Sequence, residues 1–443
     1  MVVLVAASSC ATTPRFGGQV SRVTSPNFDA IGDVSPHRLE VEVRRLETLF
    51  DVFTLFFGPG LAPTNRLRVV VMNAGEPAEF IEGAGGFVTT EAFEPLIITS
   101  VAEDLLAFSV NTHELVHAIS RRALPWQPRW FAEGIAGLFE DATFERDGSV
   151  KMGRWSDVPS WASLDDLFSW NDRIPSQEET GRLYATARAL LFYLANRDEP
   201  RLQALLEALR QRQSSEVLLE RLFPRAERPE LLERMKAFVA EGKYSAWSTR
   251  GASAGSSTRE ADLAAWEVLL WRSRLFFVTG HRQEARAALD EATRLAPMPR
   301  PPALVAERVE RERLVDDAEL VDSPLVHLAL AESSERSLGE QLAAAAKATE
   351  RLPTSGLAAH RHAVALRKAR RLEAALAESE RAASLAPTTP EPIFEQARIL
   401  SLLGQCARAR STFSMALAAT ESPDPGWLRQ RRGEVLAACE DAP

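Results

Sequence analysis

His113-Glu114-Leu115-Val116-His117 and, a short way downstream, Trp130-Phe131-Ala132-Glu133-Gly134-Ile135-Ala136 decide how the chain is read. Residues four apart on a helix share a face, so the imidazoles of His113 and His117 can point at one ion. Glu114 projects about 100° round the helix from His113, beside such an ion, where a base for an attacking water belongs. The chain holds only 7 histidines, so the pair is not a product of abundance. A solvated helix face with two surface histidines is the bland alternative, and it leaves the apolar Leu115, Val116 and Ile119 unexplained. A catalytic metal site needs a third protein ligand and an open position. Glu133 is the candidate, because a carboxylate in an apolar helix is costly to bury unless a cation pairs with it. Glu140, Asp141 and Glu145 are rivals that read more simply as solvated charges at or past the helix end.

Upstream and downstream of these motifs, from Gln19 to about Val158, strands and helices mix. Val20 to Ile31 reads as one strand. Ser35-Pro36 opens an amphipathic helix through Leu39, Val43, Leu46 and Phe50 that stops at Gly58-Pro59. Leu67 to Met72, Gly86 to Thr90 and Leu96 to Ser100 read as strands. A helix runs from about Glu103 to Arg122, Pro125 and Pro128 interrupt it, and the next covers about Arg129 to Glu140. Trp161 to about Glu241 is helical by apolar spacing. Gly251-Ala-Ser-Ala-Gly-Ser-Ser-Thr258 has linker composition.

Beyond the linker, Gly356 to Thr389 and Pro390 to Pro423 align without gaps at a period of 34 residues. Ala375 falls on Ala409 and Ala382 on Ala416, while Ala348 and Pro353 match Ala382 and Pro387 one period earlier. A further copy ends at Ala292 to Pro297, and an insertion near Met298 to Leu320 separates it from the others. Small residues at these positions let paired helices approach closely, and the proline ends each second helix. By period and by these positions the region resembles tetratricopeptide repeats. Most first helices lack the aromatic pattern of that family.

His113-Glu-Leu-Val-His117 followed by Trp130-Phe-Ala-Glu133-Gly-Ile-Ala resembles the gluzincin metallopeptidases, and among them the bacterial peptidase MA-like group. The resemblance covers about residues 20 to 200. It implies a thermolysin-like α+β domain, a small sheet plus active-site helices, followed here by the all-α repeats. It also implies one catalytic zinc held by His113, His117 and Glu133, with Glu114 as general base. An edge strand, here Gly86, Phe87, Val88 and on to Thr90, would pair with an extended peptide. Tyr184, in a helix of this region, is the candidate to stabilise an oxyanion, with plain packing as its alternative role. Gly137 departs from the family, many members of which carry an acidic residue there to orient a histidine; either another residue supplies that contact or the zinc is held less firmly.

These readings divide the chain into a signal- and lipoprotein-like segment and tether (1–18), a zinc peptidase domain (19–245), a linker (246–258) and TPR-like repeats (259–440). The segment Met1 to Pro14 is uncharged and apolar and ends in small residues around Cys10. It resembles a lipoprotein signal without the basic start or the usual leucine. The expectation is an exported protein lipid-anchored through Cys10 in the bacterial cell envelope, with a cytoplasmic protein as the alternative. Cys406 and Cys439 read as free thiols in a helical region, with a bridge between them left open. A net charge of −9 argues against nucleic acid. No stretch is long and apolar enough to span a bilayer, so membrane contact is expected only through the anchor. Arg367-Lys-Ala-Arg-Arg371 reads as the wet face of a repeat helix. The expected partners are a peptide or protein substrate and a protein on the repeats. The expected function is zinc-dependent peptide hydrolysis; the alternative is a zinc-binding scaffold with little or no turnover.

Overall fold

The computed structural model describes residues 20–57, 66–73, 86–91, 94–101, 105–124, 127–140, 142–144, 149–152, 160–170, 175–211, 215–243, 247–250, 258–259, 262–312, 322–387, 389–418 and 425–439. Cys10, Asp141 and Glu145 lie outside them, and so does the central part of the linker. The described chain is mostly helical, with a small mixed sheet near its start and stacked helical hairpins toward its end.

The first elements are β1 (Ser21–Thr24), β2 (Phe28–Gly32), α1 (Pro36–Phe57), β3 (Leu67–Met72), β4 (Gly86–Glu91) and β5 (Glu94–Ser100). The expected single strand from Val20 to Ile31 is in fact a hairpin. Pro26 brings no N–H to a ladder, and the turn around it is closed by side chains. The Phe28 N–H donates to Ser25 Oγ at 3.2 Å, and the Asn27 N–H and side-chain amide both donate to Glu47, at 2.8 and 2.6 Å.

The sheet runs β4-β5-β3-β2-β1-β9, where β9 is Thr258–Arg259. β2, β3 and β5 are parallel, while β4 runs antiparallel at one edge. Alternation along β3 sends Leu67, Val69 and Val71 to one face and Val70 and Met72 to the other. Both faces are buried, which is why the strand reads as an unbroken apolar run. The first face packs on α1 and on α2 (Leu105–Ala123), through Leu39, Val43, Val116 and Ile119.

After α2 come α3 (Arg129–Phe139), β6 (Thr143–Phe144), β7 (Ser149–Met152), α4 (Leu164–Phe168), α5 (Gln177–Arg197), α6 (Glu199–Arg210), α7 (Ser215–Leu222) and α8 (Arg228–Glu241). β8 (Trp247–Arg250) then completes a second sheet, β6-β7-β8. The ends of the segment with linker composition are therefore strands, one in each sheet.

The hairpin α9 (Ala265–Val278) and α10 (Arg282–Leu295) covers the second face of the large sheet. Val268, Leu275, Phe276 and Ala285 pack on Val20, Ile31, Val70, Met72, Leu96 and Ile98. The array continues through α11 (Pro302–Glu312), α12 (Pro324–Leu330), α13 (Leu338–Arg351), α14 (Gly356–Lys368), α15 (Leu372–Leu385), α16 (Pro390–Leu402), α17 (Cys406–Ala418) and α18 (Pro425–Leu436). Alanines 348, 375, 382, 409 and 416 are buried at its helix crossings. A Cβ on Gly356 would come within 2.6 Å of Ala386 Cβ, so that crossing needs glycine.

Cys406 and Cys439 are bonded, their Cα atoms 5.4 Å apart, which corrects the free-thiol reading. Their separation of 33 residues is almost one repeat period, and stacking brings positions one period apart side by side. Closing a loop of that length is worth roughly 3 to 4 kcal/mol against the unfolded chain. Reduction is expected to speed amide hydrogen exchange across residues 425–439; unchanged exchange would show that packing alone holds this end.

Candidate metal centre

Two helices meet at the centre, and local packing sets their angle. Leu124 N–H donates to Ser120 O at 2.7 Å, and Gln127 Nε2 donates to Ser120 Oγ at 3.0 Å, bracing the bend between α2 and α3. Trp130 at the start of α3 is fully buried. Its indole stands edge-on to Phe131, Phe168 and Phe223, with ring centroids 6.0, 5.1 and 6.0 Å away. Such pairs contribute about 0.5 to 1.5 kcal/mol each beyond their burial. Glu133 follows Trp130 by less than a turn, so the aromatic cluster fixes where its carboxylate lies.

Gly134 has an equally direct role. A Cβ there would lie 2.8 Å from the carbonyl oxygen of Ala187 on α5, and one on Gly137 would press on Arg188 at 3.3 Å. The two glycines let α5 pack close against α3, which brings Tyr184 to the site. Tyr184 packs edge-on against Trp170 at 5.1 Å, and its hydroxyl interacts with Glu133 and Arg129. Burial, and then the charge of Glu133, push that hydroxyl up to about 12. It therefore stays protonated, and a hydrogen-bond donor, through the physiological range.

Three donor atoms converge. His113 Nε2 and His117 Nε2 are 3.0 Å apart, and Glu133 Oε2 is 3.4 Å from the first and 3.2 Å from the second. The side chains are only 19%, 11% and 13% exposed. Among the described residues no other group of histidines, cysteines and carboxylates is arranged to hold a metal ion. The fit is good on geometry as well as on chemistry. A tetrahedral ion with bonds of about 2.0 to 2.1 Å has ligand–ligand edges of roughly 3.3 Å. Glu133 Oε2 is buried and accepts no hydrogen bond, an orphan that a cation between the three atoms would satisfy.

The charges point the same way. Burial alone would lower the pKa of His113. The nearby carboxylates of Glu133, Glu140 and Glu114 outweigh it and raise the value to about 10. Burial would likewise raise the pKa of Glu133, but the two histidines hold it below its ordinary range. Without a cation, the proton on His113 is what neutralises the buried carboxylate. A cation must displace it, so metal affinity is expected to climb as pH rises toward that value. Calorimetric titration with zinc in buffers of different ionisation heats would show the proton release; none would mean that His113 is already deprotonated.

Glu114 lies half-buried on α2, and its charge is felt by His113 and by the half-buried Arg121. The backbone of β4, with Gly86, Phe87 and Val88, forms an edge of the large sheet among the described residues and packs beside α2.

Two further residues complete the surroundings. Arg129 Nε is 4.0 Å from Glu133 Oε1, and its guanidinium lies 4.7 Å above the ring of Trp170. Glu140, read from sequence as a solvated rival ligand, places Oε2 3.8 Å from His113 Nδ1. It faces the nitrogen opposite the donor triangle, the place left vacant by Gly137. Its signal was its spacing, two helical turns after Glu133 and hence on the same face. Loss of an outer partner of this kind costs about 10- to 100-fold in metal affinity. Glu140→Gln is expected near the lower end, checked by chelator competition; wild-type affinity would show that the contact is idle.

No family model, curated protein or solved structure matches the chain.

Proposed function

We propose that the chain is a zinc-dependent peptidase of gluzincin type, with a thermolysin-like catalytic domain and TPR-like repeats that bind a protein. One observation carries this reading: a triangle of two imidazole nitrogens and one carboxylate oxygen at tetrahedral spacing, with Glu114 on the same helix. The N,N,O donor set suits zinc, with room for water or substrate at the fourth position. When bound, the ion would supply Lewis-acid polarisation and lower the pKa of water.

The chain's own residues supply the remaining parts. The Glu114 carboxylate takes a proton from the attacking water and delivers it to the leaving amine. The Tyr184 hydroxyl, neutral at pH 7, donates to the developing oxyanion. The open edge of β4 offers N–H and C=O groups to an extended peptide, a pairing that holds backbone whatever its side chains. Arg129 and Glu140 hold Glu133 and His113 in place. Export and a lipid anchor at Cys10 belong to the same proposal and rest on the sequence of the first residues alone.

The test is metal analysis of the purified protein, then incubation with a broad peptide library before and after chelation and after zinc is restored. Cleavage that follows the metal is expected. A zinc-loaded protein that cleaves nothing would sink the enzyme reading and leave the scaffold.

A further inference from the structure

A cavity of about 360 Å³ opens at the far end of the repeat array, well away in sequence from the metal centre. Its walls are the end of α14 and the turn after it, the second half of α16, and the last helix with its 3₁₀ turn Ala437–Cys439. Four cations line it: Arg367, Lys368, Arg370 and Arg398. The one acid in the wall is Glu434, and it is already engaged. Gln430 donates to it at 2.9 Å, Arg431 lies 3.5 Å away, and these two with Arg398 keep its carboxyl below the usual range. Arg367 is paired with Glu395. Lys368 and Arg370 have no ion pair among the described residues. Ser401, 2% exposed, completes the wall.

The turn that carries Arg370 is unusual within its own array. The corresponding turns place Gly280 at φ 85° and Gly404 at φ 71°, and each is closed by the next residue's N–H reaching back five positions, to Phe276 O and Leu400 O. The turn after α14 has the same closure, Arg371 N–H to Leu366 O at 2.9 Å, but its left-handed residue is Arg370 at φ 60°. Glycine adopts that conformation freely, whereas an arginine is strained in it. Backbone strain of this kind is found more often at binding and active sites than elsewhere. The disulfide from Cys406 to Cys439 fixes the opposite wall to the start of α17.

We propose that this cavity binds a multiply charged oxyanion, a phosphate or polycarboxylate group on a small molecule, through Arg370, Lys368 and Arg398. Guanidinium forks match the geometry of both groups, and their charge-assisted bonds are the stronger kind. The run Arg367 to Arg371 is then a binding element of the turn rather than solvated decoration.

The experiment uses the full chain, titrated calorimetrically with inorganic phosphate and separately with citrate, against sodium chloride at matched ionic strength. Saturable binding of at least one of the two is expected, and which one binds identifies the group. Arg370→Gly is expected to weaken it at least tenfold while raising the thermal midpoint of the anion-free protein, because glycine relieves the turn. Loss of binding is then separated from loss of folding. Lys368→Gln, at an exposed position, is expected to weaken binding several-fold. Heats no greater than those of chloride, or affinity unchanged in Arg370→Gly, would overturn the proposal.

Discussion

A Glu114→Gln variant is expected to keep its metal and to lose peptide hydrolysis by about 100- to 10,000-fold, the range of a missing general base. The substitution preserves size and shape, and Glu114 is not one of the three converging ligands. What changes is proton affinity: an amide cannot take the proton of the attacking water or return it to the amine. The loss should fall on kcat and on kcat/KM alike, since the interaction exists only as the reaction proceeds. Elemental analysis beside single-turnover assays checks it. Full activity in the variant would place the base elsewhere, and a metal-free variant would make Glu114 a ligand.

Glu133→Gln acts on the other half of the site. It removes the only charged donor from the triangle, and the loss of zinc affinity should exceed the roughly 100-fold that an outer contact can cost. The half-buried Arg129 and the Tyr184 hydroxyl lose the Glu133 charge in the same step. The Tyr184 hydroxyl is consequently expected to titrate below its wild-type value, since the charge that helps to raise it is gone. Chelator competition reads the affinity and absorbance near the tyrosinate band reads the titration. Wild-type affinity in Glu133→Gln would show that Glu133 is not a ligand.

What the sequence made legible was local. His113 and His117 meet because helical spacing alone puts them on one face, and Glu133 joins them because a carboxylate between Phe131 and Ile135 has few other reasons to be buried. The 34-residue period and its alanines likewise carry the stacked hairpins without any knowledge of partners. What stayed hidden depends on distant chain. Nothing near Thr258 shows that it will pair with β1, and nothing in α9 distinguishes a helix that covers a sheet from one that covers another helix. Glu140 looked solvated because its histidine is 27 positions away in sequence. The bridge between Cys406 and Cys439 becomes evident only when the array is stacked. Within residues 20–31, by contrast, the signal was local, and Pro26 with its flanking Ser25 and Asn27 marked the turn.

The hairpin of α9 and α10 belongs to two structures at once. As the first unit of the array it begins the stack, and as the cover over Val70, Met72, Leu96 and Ile98 it closes the core of the sheet. A gene cut at the glycine- and serine-rich stretch would release a first half whose sheet shows an apolar face to water and whose β1 has an unpaired edge, both invitations to aggregate. The released second half would begin with a helix pair missing what it packs on. The sheet domain and the repeats are therefore not interchangeable cassettes. Exchange of either by recombination would require the partner to bring the same hairpin, so the two halves are bound to change together.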